Sequence, residues 1–260
     1  MRVDDEERKG VIASDLFSST GSAGAHRSKI TDVRVAEIYA SRQGEGRWTG
    51  TPSVFVRTSG CNLRCWFCDT PFASWSPEGD YLSVEEIVAQ TLAFSEPDVV
   101  VTGGEPLIYA GIGQLCQRLR QAGKRITIET AGTIGQVVEC DLLSISPKLS
   151  SSAPDPERHP AWHAKHQSRR HRVDLVREWI GRFPYQLKFV IGDPRDADEV
   201  LDYLSELEAF EPEHVWMMPE GTTAETLDAK AVWLRPWCEA RGFQYCPRNH
   251  IYWYGNRRGT

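Results

Sequence analysis

The chain has 260 residues, 40% of them hydrophobic, and a formal net charge of −6. That is enough apolar material for one sizeable core. The acid excess argues against a general nucleic-acid binder, which would show a basic face, and no apolar run approaches the roughly 20 residues that span a bilayer.

Taken in chain order, the first residues, Met1-Arg2-Val3-Asp4-Asp5-Glu6-Glu7, lack the basic-then-apolar order of a signal peptide, so a cytoplasmic location is expected. Residues 1–29 continue into Ser18-Ser19-Thr20-Gly21-Ser22-Ala23-Gly24-Ala25, a composition that buries little. We read them as a mobile tail and 30–260 as one domain. Residues 33–40 and 53–58 have strand texture, and Ser83-Val84-Glu85-Glu86 is a capping box opening a helix to about residue 94. Short β-rich runs follow at 98–102, 125–129, 142–146, 185–191, 215–218 and 243–246. Helical stretches lie near 112–121, 173–182, 197–209 and 223–241. Strand alternating with helix implies parallel pairing, and the count fits an α/β fold: an incomplete TIM-like (β/α)6 barrel with a loop of special composition after an early strand. The segment 147–172 carries Pro147, Pro154, Pro156 and Pro160 and reads as a helix-poor excursion or lid. Within it, Arg169-Arg170-His171-Arg172 reads as a solvated loop and helix start rather than an RNA patch.

The special loop is Gly60-Cys61-Asn62-Leu63-Arg64-Cys65-Trp66-Phe67-Cys68-Asp69. Its C-x3-C-x2-C spacing has no fourth cysteine nearby. Fe–S clusters usually take four thiolates, so three leave one iron open to a small molecule, and an open metal position marks chemistry rather than scaffolding. A structural zinc site would need a distant fourth ligand, and seven cysteines with no export signal argue against disulfides. Cys116, Cys140, Cys238 and Cys246 read as small core hydrophobes.

Other unusual residues sit at strand ends, where barrel active sites are built. Thr102-Gly103-Gly104-Glu105-Pro106 ends one strand; its glycines allow close backbone approach, and its acid can accept from an ammonium group. Glu129-Thr130-Ala131-Gly132-Thr133 and Ser146-Pro147-Lys148 end the next two, and Lys148 is placed to neutralise a carboxylate. Arg57 interrupts the apolar Val54-Phe55-Val56 and must face either solvent or something polar. His250, in Asn249-His250-Ile251-Tyr252-Trp253, reads as packed in a C-terminal strand, and Trp233 and Trp237 share one helix face.

The cysteine spacing is the signature of the radical S-adenosylmethionine superfamily. Combined with Gln43-Gly44-Glu45-Gly46, Phe55-Val56-Arg57-Thr58, Cys68-Asp69-Thr70, the glycine-rich strand end and Cys246-Pro247-Arg248, the chain from about residue 33 onward resembles 7-carboxy-7-deazaguanine synthases. The resemblance implies a carbon–nitrogen lyase on the route to queuosine and related 7-deazapurines. Such an enzyme converts 6-carboxy-5,6,7,8-tetrahydropterin to 7-carboxy-7-deazaguanine with loss of ammonia. A 5′-deoxyadenosyl radical would abstract the C6 hydrogen, with magnesium assisting ring contraction.

The same resemblance assigns Cys61, Cys65 and Cys68 to a [4Fe–4S] cluster. It assigns Phe67, Asp69, Gly104, Glu129, Ser146, Pro147 and Lys148 to S-adenosylmethionine. Arg42, Gln43, Gly44, Arg57 and Thr102 would hold the pterin, and Thr70 would contribute to Mg²⁺. No catalytic side chain beyond cluster and cofactor is implied. The implied partners are an external one-electron donor of flavodoxin or ferredoxin type and a second copy of the chain, with no nucleic acid and no membrane. Two alternatives stay open: an activase that installs a glycyl radical on a partner protein, and a zinc-stabilised binding module.

Overall fold

The computed structural model describes residues 30–136 and 138–260, so the reading of 1–29 as a mobile tail lies outside the described residues. Strands β1 (Val33–Arg42), β2 (Pro52–Thr58) and β3 (Asp80–Leu82) come first, then helix α1 (Val84–Leu92). The alternating part runs β4 (Asp98–Gly103), α2 (Ile112–Gln121), β5 (Arg125–Thr130), β6 (Leu142–Ile145), α3 (Pro160–Arg170) and α4 (Val173–Ile180). It closes with β7 (Tyr185–Ile191), α5 (Pro194–Leu207), β8 (Val215–Pro219), α6 (Ala224–Glu239), β9 (Gln244–Tyr245) and α7 (Asn249–Tyr254).

All nine strands form one sheet in the order β3-β1-β2-β4-β5-β6-β7-β8-β9. From β2 to β9 every neighbouring pair is parallel. The end strands do not pair with each other, which leaves an open, incomplete barrel. β1 departs from the parallel pattern. The short link of residues 43–51 cannot cross over a sheet face, so β1 returns antiparallel to β2, and β3 pairs antiparallel on its outer side.

The side-chain period of two along each strand sorts core from site. Val54, Val56, Val99, Val101, Ile126, Ile128, Leu187 and Phe189 are buried and join Ile87, Leu115, Leu119, Val176, Val200 and Leu204 of the helices in one apolar cluster. The alternate residues face the other way. Cross-strand register places Glu37 opposite Arg57, Arg57 beside Thr102, and Glu129 beside Ser144. One row of polar side chains therefore crosses the concave face near the carboxyl ends of the strands.

Local signals explain several elements. Ser83 caps α1 as expected: its hydroxyl accepts from Glu86 N at 3.3 Å, and the Glu86 carboxylate accepts from Ser83 N at 2.8 Å. Trp233 and Trp237 pack against the apolar cluster, and Cys116, Cys140, Cys238 and Cys246 are buried. Two expectations are corrected. Residues 147–172 contain the eleven-residue α3, because Pro160 occupies the first turn, where a missing N–H costs nothing. His250 lies in helix α7 rather than in a strand. No described helix is long and apolar enough to cross a membrane.

Candidate active site

A cavity of about 630 Å³ opens at the carboxyl ends of the strands. Arg57, Thr102 and Glu129 reach it from the last turns of β2, β4 and β5. Ser146 and Lys148 come from the segment after β6, Lys188 and Val190 from β7, and Met218 from β8. This is the position where loop and strand-end side chains converge in barrel enzymes.

One wall is the cysteine loop. Cys61, Cys65 and Cys68 all border the cavity. The loop is held from behind by the Arg64 guanidinium, which donates to Cys61 O at 2.8 Å and Leu63 O at 2.7 Å, and by Trp75 Nε1, which donates to Cys65 O at 2.9 Å. Gly60 N donates to Ala73 O at 2.7 Å, and Glu105 N donates to Gly60 O at 2.9 Å. Gly104 faces this junction: a Cβ there would lie 2.5 Å from Ala73 O and still closer to Gly60 O. The glycine pair thus permits close approach of the cysteine loop's own backbone.

Burial pushes the Cys61 and Cys65 thiols up to about 12. A thiol in that state ligates only when a positive centre draws off its proton, which is what iron ions supply. No three described His, Cys, Asp or Glu side chains converge on one point that would hold a lone metal ion. The three cysteines border one cavity, as joint ligation of a cluster requires.

Glu105 is not the ammonium acceptor that its place in the sequence suggests. It is fully buried, and its carboxylate accepts from Thr130 Oγ1 at 2.8 Å, Ala131 N at 2.8 Å and Leu107 N at 3.1 Å. Burial raises its pKa against these donors. The side chain braces the ends of β4 and β5 behind the cavity wall.

A chain of buried charges borders the same cavity and reaches the cysteine loop at Asp69. Lys188 Nζ makes a short contact with one Glu45 oxygen and stands 3.7 Å from Glu129. Arg248 Nε donates to the other Glu45 oxygen at 3.1 Å, its Nη1 donates to Gly221 O at 2.6 Å, and its Nη2 makes a short bond to Asp69. Burial would raise the Glu45 carboxyl, but Lys188, then Arg248 and His250, hold it well below the usual carboxylate range. Burial would likewise lower Lys188, and Glu45 with Glu129 keep it above the usual lysine range. Thr102 Oγ1 donates to Glu129 at 2.7 Å. Lys148 Nζ donates to Ser146 O at 2.8 Å and Ser146 Oγ at 2.7 Å.

The cavity therefore holds most of the residues that sequence singled out. Arg42, Gln43, Gly44, Phe67, Asp69, Thr70 and Gly104 line it together with the strand-end side chains, whereas Pro147 is buried and does not border it. Arg57 faces the cavity rather than bulk solvent; it donates to Glu37 at 2.7 Å and to the Tyr39 hydroxyl. The Gln43 amide is occupied by Ser53 Oγ at 2.9 Å, and Gly44 is required because a Cβ would lie 2.6 Å from His250 Cβ. Thr70 Oγ1 lies 3.7 Å from Cys68 Sγ.

Sequence reasoning assigned no role to Lys188, Arg248, Glu220, Thr222 or the closing residues Arg257, Arg258 and Thr260, all of which border the cavity. The signal for Lys188 was available, since it is one cation in the apolar run Leu187-Lys188-Phe189-Val190. For the closing residues nothing local announced the return, which depends on Arg258 pairing with Glu37 at 3.0 Å and Glu78 at 2.8 Å.

Residues 55–204 match the radical SAM superfamily. A 7-carboxy-7-deazaguanine synthase of Rhodopirellula baltica is 46% identical over 243 residues, spanning 93% of this chain and 94% of its own. One from Halobacterium salinarum is 43% identical over 227 residues, spanning 84% and 88%. The crystal structure of QueE from Escherichia coli superposes with a TM-score of 0.59 at 23% identity, covering 85% of this chain and 98% of that one, a likeness of fold.

Proposed function

Because the chain belongs to the 7-carboxy-7-deazaguanine synthase family of radical S-adenosylmethionine enzymes, we propose how its own residues divide the work of that reaction. The observation that carries the reading is the sharing of one cavity by three thiols and a set of fixed cations and carboxylates. Cys61, Cys65 and Cys68 would hold the [4Fe–4S] cluster, one iron of which would lack a thiolate from this motif. When bound, cluster and S-adenosylmethionine supply a 5′-deoxyadenosyl radical able to remove the hydrogen at C6 of 6-carboxy-5,6,7,8-tetrahydropterin.

The chain's own task is to bind, orient and keep water out. Lys148, whose ammonium is held on Ser146, would neutralise the methionine carboxylate, and Phe67, Asp69, Gly104 and Glu129, which line the cavity, would bind the rest of the cofactor. Arg57 uses Nε and Nη2 on Glu37 and Tyr39, so its Nη1 donors remain for the pterin carboxylate. Arg42, Gln43, Gly44 and Thr102 border the same region. Glu45, held ionised by Lys188 and Arg248, would offer acceptors to the N–H groups of the ring, and Glu129, 3.7 Å from Lys188, borders the same region.

For magnesium the donor chemistry fits through oxygen: the Thr70 hydroxyl borders the cavity beside Asp69. One hydroxyl holds no Mg²⁺ by itself, so the pterin carboxylate and waters would complete the shell. Mg²⁺ there would act as template and Lewis acid during ring contraction. Residues 30–260 acting as one unit, a homodimer, a cytoplasmic location and an external one-electron donor complete the proposal.

The test is anaerobic turnover of the cluster-reconstituted chain with the tetrahydropterin, S-adenosylmethionine, Mg²⁺ and dithionite. A product with the mass of 7-carboxy-7-deazaguanine is expected. Cofactor cleavage without that product, at full iron loading, would overturn the reading and favour an activase.

A further inference from the structure

We infer that the cationic ridge of Lys165, Arg169 and Arg172, beside the exposed Trp66 of the cysteine loop, docks an acidic protein that carries single electrons to the cluster. The inference rests on the cysteine loop being the cluster site. It names where, on the outside of that loop, the reducing partner binds.

The ridge touches the loop directly. Asn62 follows Cys61, and its carbonyl accepts from Arg169 Nη1 at 3.1 Å. The Asn62 amide pairs with the Thr133 hydroxyl at 3.0 Å, and Thr133 O accepts from Arg172 Nη1 at 3.4 Å. Trp66 follows Cys65 and is 59% exposed, with its indole nitrogen donating to Ser151 O at 2.9 Å. Its ring meets Phe67 edge-on at 5.4 Å, and Phe67 lines the cavity. An exposed indole fixed by a hydrogen bond is the kind of anchor that protein interfaces use.

The charges of the ridge are not neutralised by any of the described residues. Neighbouring Arg170 and His171 pair with Glu199 at 3.1 Å and Glu206 at 2.8 Å. Arg169 and Arg172 donate instead to backbone carbonyls, which carry no compensating charge. Lys165 lies over the Trp162 ring at 5.2 Å, and Arg64 lies over the same ring at 4.0 Å. Among the described residues, no carboxylate approaches Lys165, Arg169 or Arg172 within ion-pair distance. Lys165 and Arg169 stand four apart on α3 and so share a face. A hollow of about 390 Å³ opens between Arg169, Arg172, Asn62 and Thr133, where a partner's carboxylate would be met by two guanidinium groups.

Position and overall charge select the partner. During turnover the cavity is filled by cofactor and substrate, so electrons must arrive from the loop's outer side. The chain carries a net charge of −6, which repels an acidic protein in general and makes one local cationic patch its preferred landing point. The buried His166 ties the ridge to the loop: its Nδ1 accepts from Arg64 N at 3.2 Å, and its Nε2 bonds the Ser152 hydroxyl at 2.8 Å. A partner seated on α3 is thereby held in fixed register with Cys61 and Cys65. In each encounter the carrier is oxidised by one electron and the cluster reduced by one, with no bond made or broken on this chain.

The experiment uses the reconstituted enzyme and a recombinant bacterial flavodoxin. Binding is titrated at about 50 and about 300 mM salt, where screening differs strongly. Product formation is driven either by reduced flavodoxin or by dithionite. In Lys165→Glu and in Arg169→Glu/Arg172→Glu, the flavodoxin Kd and KM should rise about tenfold or more and lose most of their salt dependence. Iron content and the dithionite-driven rate should hold, and Arg118→Glu on α2 should match the unmodified enzyme throughout. Unchanged Kd and KM in both variants would overturn the inference, as would an equal rise with Arg118→Glu. Preferential binding of a polynucleotide to the ridge, with flavodoxin indifferent to the variants, would also overturn it. Failure of the unmodified enzyme to turn over with dithionite would count against the proposed reaction, while the titration still decides the surface.

Discussion

Replacing Lys188, in β7, with methionine removes one charge from the cavity while keeping an unbranched side chain one atom shorter. Lys188 is 6% exposed, touches Glu45 and lies 3.7 Å from Glu129. At that separation and an effective dielectric near 20, the Glu129 interaction alone amounts to roughly 4–5 kcal/mol before desolvation is counted. Losing one partner of a buried pair generally costs about 3–5 kcal/mol, because the remaining charge stays buried. Arg248 continues to pair with Glu45 at 3.1 Å, so the low end, about 3 kcal/mol, is expected. For a domain of this size that corresponds to a melting temperature lower by about 6–12 °C.

The pH dependence has a definite sign. Glu45, with its folded pKa below the unfolded value, lends stability that is present above about pH 4.5 and lost as pH falls through the folded pKa. Lys188, with its folded pKa raised, lends stability that is present below about pH 10 and lost only at higher pH. The Lys188→Met deficit should therefore be level from about pH 5 to 10 and narrow below about pH 4, as the variant's carboxylates take up protons. Urea unfolding across that range, at constant cofactor concentration, measures it. Glu45→Gln combined with Lys188→Met should lose less than the sum of the single changes, by roughly 1–3 kcal/mol. A deficit under about 1 kcal/mol, or one that grows on acidification, would refute the assignment of Lys188 as counter-ion to both carboxylates.

If Thr70 contributes a magnesium ligand, Thr70→Ala should still cleave S-adenosylmethionine yet need about 10–100-fold more Mg²⁺ for pterin turnover, while Thr70→Ser should keep much of the activity. Identical Mg²⁺ titrations for all three would leave Thr70 a turn residue. Gly104→Ala places a Cβ against the backbone carbonyls of Gly60 and Ala73, which cannot move aside. It should cost about 1–3 kcal/mol and lower iron loading, measured by denaturation and metal analysis. Gly135→Ala, whose Cβ would meet only Leu175 Cδ1 at 3.6 Å, should be close to neutral, and equal losses at the two positions would contradict the close-approach argument.

What could be read from sequence follows from how local each signal is. The parallel strands were legible because they are buried on both faces and appear as short β-branched runs, as in Asp98-Val99-Val100-Val101. The cysteine loop was legible because its chemistry is written in ten consecutive residues. Arg57 was legible as an oddity, although its partners Glu37 and Tyr39 emerged only from the register of β1 against β2. Helix α3 was missed because four prolines were counted as breakers, when Pro160 occupies the position that favours proline. The Glu45–Lys188–Arg248 chain joins positions 143 and 203 residues apart, which no local pattern encodes. Arg248 reaches it from a backbone with φ of 54°, a left-handed conformation unusual for a residue other than glycine. Glu105 misled because its place beside the glycines suggested a ligand contact, while the fold turns its carboxylate toward β5.

Cys61, Cys65 and Cys68 and the charged groups that border the same cavity act as one site on a carboxylated pterin. Iron content and product mass, measured on the same anaerobic sample for the unmodified chain and for Cys65→Ala, decide whether they do. About four irons per chain and a product of 7-carboxy-7-deazaguanine mass are expected for the former, with both lost in the variant. A Cys65→Ala protein that retains its iron and forms the product, or an unmodified chain that binds a single zinc and forms none, would contradict it.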